Sequence, residues 1–99
     1  MRHIKELTDE IKEELEGAKE YAEKYVEAKA KGDMIEADRL KEMTHDELKH
    51  ASWIHEKAVK EIEKLSKTYT PPSEMLERWK REHKEYVERA AWIRQMLEM

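Results

Sequence analysis

The 99 residues include only two Gly and two Pro, and where these breakers fall decides what the chain can become. Gly32 stands beside Asp33, just after Lys29 and Lys31; Pro71 and Pro72 sit together inside a polar stretch from Ser66 to Ser73. The segments between are dense in Glu, Lys, Ala and Leu, which favour helix. Gly just past a helix supplies its left-handed last turn, and Lys29 and Lys31 suit the negative end of the dipole. Asp33 with Glu36 three residues on is a capping box that opens the next helix. Thr70 ahead of Pro71 is one cap for a third helix, and Ser73 is the alternative. The chain reads as all-α: an antiparallel helical hairpin plus a third helix. It forms one domain over residues 1–99, with helices at about 3–31, 34–66 and 72–98.

Each helix carries one apolar seam with the alternating three–four spacing of a bundle. In helix 1 it runs through Ile4, Leu7, Ile11, Ala18, Tyr21, Tyr25 and Ala28, with Glu14 in the same line. In helix 2 it runs through Ala37, Leu40, Met43 or Thr44, Ala51, Ile54, Ala58, Ile62 and Leu65, with Glu47 in line. In helix 3 it runs through Leu76, Trp79, Tyr86, Ala90, Ile93 and Leu97, with His83 in line. The seams are narrow and partly built of Ala. Charged residues make up 44% of the chain and mean hydropathy is −1.09, so a lone chain would be marginal and a homodimer or higher homo-oligomer is expected.

Composition closes several routes. The absence of Cys excludes disulfides, cysteine-based zinc sites and iron–sulfur clusters. Acidic and basic residues interleave, net charge is −4, and no basic stripe offers itself to nucleic acid. No segment approaches the ~20 apolar residues of a membrane span and the N-terminus has no apolar run, so a cytoplasmic protein is expected. Ser52, Ser66 and Ser73 have no base-and-orienter arrangement for nucleophilic catalysis, and no Gly-rich loop could cradle phosphate.

The polar interruptions carry the chemistry. If helices 1 and 2 fold back at a tight turn near Lys31–Gly32, Glu14 and Glu47 lie equally far from that turn and so at one height. His50 follows Glu47 by one turn on the same face. Two carboxylates in one groove repel and raise each other's pKa, and burying either unpaired is costly. A divalent cation removes the conflict, and carboxylate oxygens with an imidazole suit iron or manganese, with zinc also accepted. One chain underfills an octahedral ion. Two chains related by a two-fold axis supply four Glu and two His, the ligand set of a di-iron carboxylate site in a four-helix bundle.

Other readings stand beside this one. Glu13 and Glu20 would replace Glu14 if the register shifted. The three residues could instead form a polar layer that fixes register, with Lys49 and Arg94 as counter-charges; the chain would then be a non-enzymatic oligomer or adaptor. The second Glu-x-x-His, Glu42–His45, falls off the seam and is expected in solvent. His3, His55 and His83 should gather near one end of the bundle, as a second metal site or as structural imidazoles. Trp53, Trp79 and Trp92 are expected as core or dimer-interface anchors, and Met34, Met43, Met75, Met96 and Met99 as core filler.

The stretches Glu14-Leu-Glu-Gly-Ala-Lys-Glu-Tyr-Ala-Glu and Glu42-Met-Thr-His-Asp-Glu-Leu-Lys-His-Ala51 resemble the ferritin-like superfamily, most closely its rubrerythrin and encapsulated-ferritin branches. The 33-residue step from Glu14 to Glu47 is similar to that between the first two helices of rubrerythrins. Trp79, Glu82-His83 and the segment from Ala91 to Met99 resemble small ferritin-like proteins encoded by bacteriophages. The resemblance implies a four-helix core completed by homodimerisation, with Glu14, Glu47 and His50 as metal ligands and two iron ions per dimer. It implies Tyr21 beside the metal in a redox role, and oxidation of iron(II) by dioxygen or peroxide. The chain has neither a cysteine-rich rubredoxin module nor a fourth helix, so a second chain must complete the bundle and mineral storage would need an enclosing shell.

Overall fold

The structure, a computed structural model, describes residues 2–68, 70 and 73–99, with Arg2 described by its backbone alone. Its helices are α1 (Arg2–Ala30), α2 (Met34–Thr68) and α3 (Ser73–Met96), and the described residues contain no strand. Every boundary lies within two residues of the position read from the sequence. Gly32 adopts φ of +79°, the left-handed region that favours glycine. There the Asp33 N–H donates to the Ala28 carbonyl and the Gly32 N–H to the Lys29 carbonyl, both at 3.0 Å. These crossed bonds satisfy the last carbonyls of α1. Asp33 Oδ1 then accepts the Glu36 N–H at 3.2 Å and caps α2. α3 begins at Ser73; Pro71, the partner of Thr70 in the alternative cap, lies outside the described residues.

The tight turn lays α2 antiparallel on α1. Ala18, Ala22, Ala37 and Ala51 are wholly buried between them, and small residues at the contact let helix axes approach closely. Leu15, Leu40, Leu48 and Tyr25 fill the remaining space. Thr44 is fully buried, and its hydroxyl donates to the Leu40 carbonyl at 2.7 Å, so it leaves no polar atom unmet.

α3 rests chiefly on α1 and runs parallel to it: Lys12 pairs with Glu82 at 2.9 Å and, one turn on, Glu16 pairs with Arg89 at 3.0 Å. Ile93, Met96 and Leu97 are buried at its C-terminal end. Side chains two positions apart on a helix point about 200° apart. Lys12 and Glu16 face α3, so Glu14 between them faces away. The result is a rod of 55 × 17 × 17 Å in which α3 covers one flank of the hairpin and leaves the other open.

Expectations about large side chains are narrowed. Trp53 and Trp92 are 58% and 53% exposed, so of the two alternatives, core or dimer-interface anchor, the core one does not hold for them; three thin helices leave no pocket deep enough for an indole on their outer faces. Met34 and Met99 are likewise exposed, one at the start of α2 and the other past the end of α3, where no neighbouring helix reaches. Among the described residues no helix is long and apolar enough to cross a membrane.

Candidate metal centre

Glu14 comes from the middle of α1, and Glu47 and His50 from adjacent turns of α2. The tight turn sets their height; the direction of Glu14 away from α3 sets their flank. One ligand atom from each residue lies within 4.8 Å of the others, and no other group of three such side chains converges among the described residues. His50 Nδ1 is 3.6 Å from Glu14 Oε2. The two carboxylates are half-buried and the imidazole is exposed, so the cluster opens sideways to solvent.

The electrostatics follow from two like groups in one groove. A carboxyl–carboxylate hydrogen bond with Glu14 pushes the Glu47 pKa up to about 7; burial and the Glu14 charge push the same way, while His50 opposes them. Without a cation, one proton therefore bridges the pair near neutral pH. Lys49, the expected counter-charge, instead holds its ammonium over the Trp53 ring at 5.9 Å. The Trp53 ring also stands 5.8 Å from that of His50, forming an outer wall to the cluster. The donors are two carboxylates and one imidazole, a set that fits iron(II), manganese(II) or zinc(II) and leaves further coordination positions toward solvent.

Gly17 is a residue of this site that the apolar pattern did not reveal. A Cβ placed there would sit 3.6 Å from Glu47 Oε2 and 3.8 Å from its Cδ. The missing side chain leaves the notch that the Glu47 carboxyl occupies. The available signal was its position: a glycine inside a helix, one turn after Glu14, at a cost of about 0.5–1 kcal/mol relative to Ala.

The remaining candidates divide. Glu13 and Glu20 are exposed and outside the cluster, as are Glu42 and His45, the last pair as expected. Tyr21 is half-buried against the core, two turns beyond Glu14 and about 10 Å along the axis. Arg94 is exposed. His55 and His83 do meet, Nε2 to Nδ1 at 2.9 Å. His3 is exposed and not part of that pair, because α1 presents it to solvent and not toward α3.

Set against known proteins, the chain matches no described family, no curated protein and no solved structure.

Proposed function

We propose that two copies of this chain pair across the open flank, in the manner of a ferritin-like half-bundle, and oxidise iron(II) at a dinuclear carboxylate site. The observation that carries this reading is the convergence of Glu14, Glu47 and His50 within 4.8 Å on the flank that α3 leaves uncovered. The same flank offers half-buried Tyr21 and Ile54 and exposed Trp53 as apolar surface for the second copy. Iron(II) is the substrate, held by Glu14, Glu47 and His50 of each chain; manganese or zinc would compete for the same donors. Each of two iron(II) ions yields one electron to dioxygen, which takes up two protons and leaves as hydrogen peroxide. Binding iron displaces the proton shared by Glu14 and Glu47, so uptake releases protons and weakens in acid. Tyr21 lies on the same face as Glu14, two turns along α1, and would act from that distance in the redox role the resemblance implies.

One observation favours a second reading. The hydrogen bond between Glu14 and Glu47, with His50 beside it, already satisfies the carboxyls, so the three could act as a register-fixing layer in a non-enzymatic oligomer. Aerobic addition of iron(II) to metal-free protein, followed by ferric absorbance in the near ultraviolet, separates the two. Fast oxidation saturating near one iron per chain and lost in Glu47→Ala is expected. Oxidation at the rate of buffer, with a melting temperature indifferent to chelator, would leave only the structural layer.

A further inference from the structure

The flank covered by α3 holds a different donor set. His55 of α2 stacks on Tyr86 with ring centroids 4.6 Å apart and planes 13° apart, and on Trp79 at 5.7 Å and 19°. Both rings belong to α3, and they fix the plane of the imidazole. His83, also of α3, brings Nδ1 to 2.9 Å from His55 Nε2. Among the described residues, the polar and ring contacts joining α2 to α3 all run through His55.

We propose that His55 and His83 form a second metal site, independent of the carboxylate cluster, which takes a tetragonal divalent ion such as copper(II) or nickel(II) and ties α3 to α2. The argument rests on donor type and spacing. Imidazole nitrogens suit copper(II) and nickel(II). The 2.9 Å between the facing nitrogens is the length of the hydrogen bond that joins them, short enough for one ion to take the place of the shared proton once the rings turn. Glu82, next to His83, is held by Lys12 at 2.9 Å and approached by Arg78 at 4.0 Å, while Glu56, next to His55, acts on that ring through its charge. The pair is thus a nitrogen site, whereas Glu14, Glu47 and His50 form an oxygen-rich one.

A ligand ring must be neutral, and the hydrogen bond already needs one of the two facing nitrogens to be without a proton. In the metal-free pair one ring donates its N–H to the other. On binding, that proton moves to the remote nitrogen of the same ring, both facing nitrogens turn their lone pairs to the metal, and a neutral pair releases no net proton. Water fills the other positions. The metal would replace a single hydrogen bond with two coordinate bonds at a contact where α2 and α3 otherwise scarcely meet.

The test uses the full chain with His3, His45 and His50 replaced by Gln, which leaves His55 and His83 as the only imidazoles. All three replaced residues are exposed. Copper(II) is titrated by calorimetry, with its paramagnetic resonance spectrum and the thermal melt recorded at each step. The expected result is one copper per chain, a spectrum split by two equatorial nitrogens, and a raised melting temperature. Adding His83→Gln or His55→Gln should abolish all three, with helicity by circular dichroism unchanged in at least the exposed His83→Gln variant. Equal copper binding after either replacement, or a spectrum showing a single nitrogen, would overturn the proposal.

Discussion

On the flank that α3 covers, charge meets opposite charge: Lys12 binds Glu82 and Arg89 binds Glu16. On the open flank, half a turn away along α1, like meets like: Glu14 faces Glu47, and a proton and His50 relieve the conflict. The paired charges hold α3 in place and ask for no ligand. The two carboxyls share a proton and lean on His50, and the flank that carries them is the one left accessible. In this hairpin, opposite charges hold two helices together, and like charges gather on the flank the third helix leaves open.

The sharpest way to break that comparison is to loosen one flank and watch the other. Ile93 is almost completely buried on the inner face of α3, so Ile93→Ala should cost about 2–5 kcal/mol by denaturant unfolding. If the flanks act separately, iron(II) uptake by the folded variant stays at the level of the parent chain. A large drop in uptake would show that α3 supports the carboxylate site after all.

A smaller effect is expected from pH. The Glu47 pKa is raised to about 7 in the folded protein, so the fold binds this proton more tightly than the unfolded chain does. Its stabilising contribution is therefore full below the ordinary carboxyl value of about 4.5 and fades as pH rises through about 7. The melting temperature of metal-free protein should fall over that window more steeply than that of Glu47→Gln. Parallel curves for the two would mean that the carboxyls share no proton. Saturating metal should reverse the trend, because the ion needs the proton gone.

The smallest change concerns Gly17. Gly17→Ala places a methyl at ordinary contact distance from Glu47 and improves helix propensity, so a gain of about 0.5–1 kcal/mol is expected. Gly17→Leu should keep that gain while pushing the Glu47 carboxyl out of its notch and weakening metal binding. Unchanged binding in the Leu variant, measured by calorimetry, would remove Gly17 from the site.

Much of this was legible before any coordinates. Gly32 and Asp33 marked the turn because a left-handed residue followed by a capping carboxylate has few other uses. Once the turn was placed, counting outward put Glu14 opposite Glu47, and a second count placed His83 near His55. What the pattern missed has one physical cause. A seam read at three–four spacing describes a helix with one neighbour, but α1 has two. Leu15 and Ala22 were off the seam yet are buried, because α1 must present a broader apolar face to touch both α2 and α3. Leu48 was missed on α2 as well, where it packs into the core against α1. The support of α3 by α1 was equally invisible, since it depends on Lys12–Glu82 and Glu16–Arg89, pairs far apart in sequence among many interchangeable charges. For Trp53 and Trp92 the pattern left core and dimer interface both open, and a rod this thin has little interior to offer an indole.

That thinness has a hydrodynamic consequence. At 55 Å by 17 Å the chain has an axial ratio of about three, and it should tumble much faster about its long axis than end over end. Two rods joined flank to flank keep the same length while one breadth grows to about 34 Å, so mass doubles with almost no change in the largest dimension. Rods joined at their ends would double that dimension instead. Sedimentation and small-angle scattering together therefore read the side of association from shape alone, before any ligand is added.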